Sequence, residues 1–87
     1  MNLIDLGNNT IVNIDDIVAI IDSTAAIESK ENHNLFIEFE KSGNMIYCTN
    51  PNFIRSFVFC EDEDGKRIYS SSFTTKKLKD RLIFNSI

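Results

Sequence analysis

The chain has 87 residues, of which 43% are hydrophobic, and it carries one proline, three glycines and a formal net charge of −4. This length and composition predict a single folded domain over residues 1–87 and exclude a disordered tail. No apolar run reaches the roughly 18 residues of a membrane span, and the first five residues lack the features of a signal peptide, so we expect a cytoplasmic protein that does not enter the membrane.

The first 22 residues are typical of short strands. Apolar runs at 3–6, 10–14 and 17–21 are rich in Ile and Val, which favour strands. The turn residues Gly7-Asn8-Asn9 and Asp15-Asp16 separate these runs. We therefore predict two or three strands here.

The segment from residue 23 to 43 fits either a helix or a strand. It alternates apolar and polar residues from Phe36 onward, as an edge strand does. However, Leu35, Phe36 and Phe39 also share one face of a helix, with Ile27 two turns upstream. Gly43 stands where a helix C-cap would lie. Pattern alone leaves both structures open.

The two cysteines are predicted to be core residues. Cys48 ends a strand-like run at 45–48, a turn follows at 50–52, and Cys60 lies in another apolar run. Two thiols with no CxxC motif and one distant histidine do not provide the four ligands of a zinc site. Because free cysteine is among the most buried residue types, we expect both thiols in the core. Without a ligand set, we expect neither metal nor cofactor.

A β-hairpin is predicted around Asp64-Gly65. Strand-like runs at 57–63 and 66–70 flank this dipeptide, which is the strongest short signal for a type I′ turn. The resulting register would place Glu63 opposite Lys66 and Asp62 opposite Arg67. The run of acids at 61–64 lacks the flanking carboxylates of an EF-hand loop, so it indicates an acidic hairpin tip.

The last quarter of the chain opposes the rest in charge. Residues 66–87 hold six basic side chains and one acid, which gives +5, whereas residues 1–65 hold three basic side chains and twelve acids, which gives −9. Thr74 or Thr75 can cap a C-terminal helix that buries Leu78 and Leu82. The basic residues of this helix are Lys76, Lys77, Lys79 and Arg81.

No residue pattern indicates an enzyme or a small-molecule substrate. His33 lies in a polar run without a neighbouring nucleophile, so we expect a solvated surface residue. Residues 55–59 are weakly similar to the aromatic strand of an RNA-recognition motif but lack its glycines, which favours a core strand. The hydroxyl cluster at 70–75 is explained by helix capping or, alternatively, by phosphate binding beside Lys76 and Lys77.

Two blocks near the ends of the chain carry a family-like pattern. One runs from Leu6-Gly7-Asn8-Asn9 through Val12 to residues 16–22, and the other comprises Ile68-Tyr69, Ser71, Thr74, Leu78-Lys79 and Arg81. They resemble the small bacterial family of extracellular matrix regulatory proteins, specifically its B-type, whose pattern is I-Y-x-S, a hydroxyl residue and L-K-K-R.

The resemblance implies an α+β domain in which residues 29–42 form a helix. Together with the strands and the C-terminal helix predicted above, this gives a small, mainly antiparallel sheet of five or six short strands with a central helix and a basic C-terminal helix near 75–84. The resemblance also implies self-association, since A-type relatives build closed rings. Those relatives bind DNA and regulate transcription of biofilm-matrix genes, using arginines near the turn before the strand that starts at about residue 54 and a basic residue near 15–16. Here the first place retains only Arg55, and the second is Asp15-Asp16.

Two functional hypotheses follow. The first is a non-enzymatic homo-oligomer, such as a ring, that binds double-stranded DNA through Arg55, Lys76, Lys77, Lys79 and Arg81. The alternative is an oligomeric adaptor that never binds DNA and pairs its basic helix with acids of a neighbouring subunit. Both need an oligomer interface, for which the apolar C-terminal residues Ile83, Phe84 and Ile87 are the candidates.

Overall fold

Three strands, two helices, three more strands and a last helix follow one another in a computed structural model that describes residues 2–85, with side chains described for residues 2–82. The 3-10 turns lie at Ile14–Asp16 and Pro51–Phe53. The strands are β1 (Leu3–Gly7), β2 (Thr10–Asn13), β3 (Ile17–Asp22), β4 (Met45–Tyr47), β5 (Ser56–Asp62) and β6 (Gly65–Ser71), and the helices are α1 (Ser23–Glu28), α2 (Lys30–Lys41) and α3 (Thr75–Asn85).

The strands form two sheets. β1 and β2 make an antiparallel hairpin, and the larger sheet has the order β3-β5-β6-β4. Its β3–β5 and β5–β6 pairs are antiparallel, whereas β4 runs parallel to β6. The α+β prediction is confirmed, with the six strands divided between the hairpin and the four-stranded sheet.

The central helix is confirmed by α2. The Ser29 hydroxyl caps it by accepting a hydrogen bond from the Asn32 N–H, and Gly43 follows it with a φ of +79°. Phe36 and Phe39 decide between helix and strand, because only a helix places both on the phenylalanines of β5. The Phe36 ring centroid lies 4.6 Å from that of Phe57.

One helix is absent from the sequence prediction. Residues 23–28 form α1, capped by Asp22, and Ser29 separates it from α2. Ile27 therefore does not extend the apolar face of α2. It is 74% exposed.

The main core lies on the opposite face of the four-stranded sheet. Val58, Cys60 and Tyr69 point from that sheet towards the β1–β2 hairpin and α3. Residues from the hairpin and the helix, together with Cys48 after β4, complete this cluster, namely Ile4, Leu6, Val12, Cys48 and Leu78. The sheet is thus covered by α2 on one face and by the hairpin with α3 on the other.

The β5–β6 hairpin corrects the predicted register. Asp62 pairs with Gly65 and Glu61 with Lys66, so the two loop residues are 63–64 rather than 64–65. The reason is that Asp62 accepts a hydrogen bond from the Asp64 N–H, which closes the turn earlier, and only Gly65 adopts a positive φ. Arg67 stands opposite Cys60 but still forms an ion pair with Asp62.

Within the part of the chain that the structure describes, no helix combines the length and the hydrophobicity that crossing a membrane requires.

Candidate nucleic-acid interface

Helix α3 begins as the sequence predicts. The Thr74 hydroxyl accepts a hydrogen bond from the Lys77 N–H at 3.1 Å, the geometry of an N-cap. Leu78 is fully buried in the core, and Leu82 packs against it half-buried. This pair fixes which faces of the helix reach solvent.

Two of the four basic residues of α3 lie against an aromatic ring. The Lys77 Nζ is 4.8 Å from the Phe73 ring centroid, and the Arg81 guanidinium carbon is 4.4 Å from it. Arg81 also donates a hydrogen bond to the Asp5 carbonyl at 3.0 Å. Cation–π contacts of this kind hold the two side chains against the domain surface.

Lys76 and Lys79 occupy a different face. At about 100° per residue they lie on one flank of the stripe formed by Leu78 and Leu82, and Lys77 and Arg81 lie on the other flank. Both Lys76 and Lys79 are exposed. The four cations predicted as one group therefore divide into two pairs. Lys76 and Lys79 are free to meet an anionic partner.

Arg55 lies at the end of the sheet where α3 starts. Its N–H donates to the Ser71 carbonyl at 2.8 Å. The neighbouring Ser56 hydroxyl donates to the Phe73 carbonyl, also at 2.8 Å. The structure thus brings Arg55 close to the segment from which α3 begins, although the two are about 20 residues apart in sequence.

An open depression of about 570 Å³ contains Arg55. The remaining lining residues are Ser23, Thr49, Asn52, Phe53, Ile54 and Ser72. None of these described lining residues is acidic, and the sequence from Ser42 to Cys60 holds no acid at all. Hydroxyl and amide groups around one guanidinium suit a phosphate group.

Most of the predicted hydroxyl cluster serves the fold. Ser70 and Ser71 are fully buried. The Ser71 hydroxyl donates to the Leu6 carbonyl at 2.7 Å and accepts from the Phe73 N–H, and the Ser70 hydroxyl accepts from the Cys48 N–H. Thr74 is the cap. Capping and core hydrogen bonding account for these residues, and Ser72 alone of the three consecutive serines lines the depression.

Charge is separated along β5. The acids at 61–64 surround the turn that follows this strand, and Asp16 lines a small cavity with Cys60 and Asp62. Arg55 lies just before the other end of β5, about six residue steps or about 20 Å away. An approaching polyanion would therefore be repelled at the acidic turn, whereas the other end of β5 combines Arg55 with Asp22, which stands opposite Ser56.

The phenylalanines of β5 do not form a base-stacking surface. Phe57 and Phe59 are half-buried and pack against Phe36. This agrees with the prediction of a core strand. The exposed aromatic residue of the region is Phe53, which is not among the predicted site residues, although its position next to a predicted turn was a signal for exposure.

The cysteines are buried and free, as predicted. Burial raises the pKa of Cys60 to about 11, with the nearby Asp16 carboxylate acting in the same direction. Burial also raises the pKa of Cys48. Within the described residues, no group of three or more potential metal ligands comes together. His33 is exposed on α2.

The predicted oligomer interface falls at the C-terminal end of the chain. The side chains of Ile83 and Phe84 and the whole of Ile87 lie outside the described residues. Their role in an oligomer interface stays a prediction.

Comparison with known proteins points to one family. A family model described as RemA-like, extracellular matrix regulatory protein A-like, matches residues 3–82. No curated protein matches the chain. The match confirms the family that the two end blocks indicated, while the B-type assignment is a finer statement and stays a prediction.

Proposed function

The chain belongs to the extracellular matrix regulatory protein A-like family, and on this premise we propose that it is a cytoplasmic, non-enzymatic transcriptional regulator of biofilm-matrix genes. It acts as a homo-oligomer that binds double-stranded DNA. The observation that carries the proposal is the depression around Arg55, whose lining residues include no acid, beside the start of a helix that presents Lys76 and Lys79 to solvent.

The binding is driven by phosphate contacts. Each Lys or Arg that neutralises a phosphate releases condensed counterions, and this release supplies non-specific affinity. Arg55, Lys76 and Lys79 are exposed cations of this surface, and unlike Lys77 they are not placed over the Phe73 ring. Arg55 and Asn52 are one Arg and one Asn among the residues that line the depression, too few to recognise several base edges, so we expect weak sequence preference.

Self-association multiplies these few contacts. One domain offers about three, which is too few for strong binding, but an assembly repeats them along the same duplex and raises the effective concentration of each. The described surface also leaves large apolar side chains in solvent, including Val18 at 67% exposure and Ile27. These residues add to Ile83, Phe84 and Ile87 as candidates for subunit contacts.

A salt titration tests the proposal. Binding of assembled protein to labelled duplex is measured by anisotropy from about 50 to 200 mM salt, a range in which phosphate contacts weaken steeply. We expect Lys76→Gln/Lys79→Gln to reduce the slope of log K against log salt by about 0.9 for each phosphate that is no longer neutralised. The matched control is Lys30→Gln/Lys41→Gln, which removes the same charge from α2.

The result that would overturn the proposal is a wild-type protein without duplex binding at about 50 mM salt up to about 10⁻⁴ M, the weak limit of typical non-specific binding. If the two double variants show equal slopes of log K against log salt, α3 is not part of the DNA-binding surface.

The alternative is an adaptor that binds protein and not DNA. The contacts of Lys77 and Arg81 with Phe73 favour it, because these basic residues of α3 already serve intramolecular packing. The acidic turn at 61–64 offers a partner for Lys76 and Lys79 of a neighbouring subunit. In this case Lys76→Gln/Lys79→Gln would weaken the oligomer in light scattering while duplex binding would be absent in wild type.

The assembly itself is tested separately by light scattering on the full chain and on a chain ending at Arg81. A shift to monomer on truncation supports the C-terminal interface. Full-length protein that is monomeric at roughly 100 μM, where a micromolar interface would be largely occupied, contradicts any homo-oligomer.

A further inference from the structure

Phe53 is a large apolar side chain that the fold leaves in solvent. It is 64% exposed at the rim of the depression that contains Arg55. The six other phenylalanines of the chain include Phe36, Phe57 and Phe59, which pack against one another around the sheet. A phenylalanine held apart from this packing forgoes the free energy of burial.

The backbone around Phe53 is fixed. Pro51 begins the 3-10 turn, and Asn50 closes it by accepting hydrogen bonds from the Asn52 N–H at its side chain and from the Phe53 N–H at its carbonyl. On the other side, the Arg55 carbonyl accepts from the Ser23 N–H at 3.0 Å. The ring is thus presented by an anchored turn and loses little conformational entropy on binding.

The surroundings of the ring favour a nucleotide over an apolar peptide. Ser23, Thr49 and Ser72 supply hydroxyl groups to the depression, and Arg55 supplies a positive charge. Hydroxyl groups and a guanidinium in one depression suit a sugar and a phosphate, while the exposed Phe53 ring offers a face on which a base can stack. Phe53 and Arg55 are two residues apart, a span of at most about 7 Å along the chain, and both line the same depression. The ring and the guanidinium can therefore contact neighbouring parts of one strand.

We propose that Phe53 stacks on the face of a nucleobase while Arg55 holds the adjacent phosphate. The inference rests on the proposed function and deepens it, because it names an unstacked base as the feature that the protein recognises. Such a base is available in a single strand, or in a duplex at a mismatched or flexible step where unstacking is cheap.

Anisotropy titrations on three DNAs test this proposal. Intact duplex, the same duplex with one mismatch, and the single strand are compared for wild type, Phe53→Ala and Phe53→Tyr. We expect Phe53→Ala to weaken binding to the mismatched duplex or the single strand by about 5-fold or more, the lower limit for removal of one stacking interaction. Phe53→Tyr retains the ring and should restore affinity. The DNA that shows the larger loss identifies the source of the base.

The matched control is Ile11→Ala. Ile11 is 59% exposed and lines the small cavity at the acidic end of β5, away from Arg55. The salt slope should not change in Phe53→Ala, because the ring neutralises no phosphate. A loss of affinity that accompanies a change of oligomeric state in light scattering would instead assign Phe53 to a subunit interface and overturn the proposal.

Fluorescence gives an independent readout. The chain contains no tryptophan, so Phe53→Trp and Ile11→Trp each introduce a single indole. Quenching on DNA addition for Phe53→Trp and not for Ile11→Trp supports stacking, and equal responses refute it. If wild type binds none of the three DNAs, the proposed function fails as well. If wild type binds and Phe53→Ala binds equally, this inference alone fails.

Discussion

Ser71→Ala should destabilise the domain more than any exposed serine substitution. The Ser71 hydroxyl is fully buried and joins three elements, since it belongs to β6, donates to the Leu6 carbonyl of β1 and accepts from the Phe73 N–H before α3. Removing it leaves two backbone groups without this partner. The variant removes one oxygen atom and so creates little cavity.

The magnitude follows from the burial of the two orphaned groups. An unpaired buried polar group costs about 1–3 kcal/mol. Leu6 is fully buried, so the full cost applies to its carbonyl, whereas Phe73 is half-buried and water can reach part of its N–H. We therefore expect a loss of about 2–3 kcal/mol in the free energy of unfolding. In a domain of this size that corresponds to a fall in Tm of about 10–20 °C.

Urea unfolding followed by circular dichroism measures this loss, at a fixed protomer concentration because self-association shifts apparent stability. Ser72→Ala is the matched control. It removes the same atom from the neighbouring half-buried residue, and its effect should stay within about 0.5 kcal/mol. A loss below about 1 kcal/mol for Ser71→Ala, at an unchanged m-value, would refute the hydrogen-bond account.

Two further predictions concern the backbone and the thiols. Gly7→Ala should destabilise more than Gly43→Ala in urea unfolding, because a Cβ at Gly7 (φ +110°) would lie 3.3 Å from the Cys48 carbonyl oxygen, whereas the space around Gly43 (φ +79°) is open. For Gly43→Ala we expect a loss of about 1 kcal/mol in the free energy of unfolding, from the backbone conformation alone. Equal losses for the two variants would contradict the close approach at Gly7. For Cys60, the folded pKa of about 11 lies above the ordinary value of 9.0, so the native state holds the proton more tightly and its contribution to stability is lost as pH rises from about 9 through 11. Unfolding free energies measured from about pH 8 to 11 should fall more for wild type than for Cys60→Ala, and parallel curves would contradict this.

The sequence was sufficient for elements whose signal is local. The cap at Thr74, the packing of Leu78 and Leu82 into the core, and the buried cysteines all follow from short-range patterns and are present in the structure. The choice of helix for α2 required the family resemblance, because the deciding contact, Phe36 against Phe57, joins residues far apart in sequence.

The predicted hairpin turn was wrong because a nearby side chain overrode the general preference of Asp-Gly for the turn positions. Asp62 forms its own hydrogen bond to the Asp64 N–H and shifts the hairpin turn away from Asp64-Gly65. The candidate site shows the same limit. Spacing along the chain predicted the cations of α3 as one group, but the packing of Lys77 and Arg81 on Phe73 depends on a tertiary arrangement that no spacing rule contains.

The link between the first strand and the last helix has a consequence for how this protein folds during synthesis. The hydrogen bond from Ser71 to Leu6 spans 65 residues of sequence, and that from Arg81 to Asp5 spans 76. The core that holds Ile4 and Leu6 also needs Leu78. Contacts between residues so far apart in sequence form slowly, because the entropy cost of closing the long loop comes before the contacts can offset it. The apolar face of the β1–β2 hairpin therefore stays uncovered until residues 78–82 have left the ribosome.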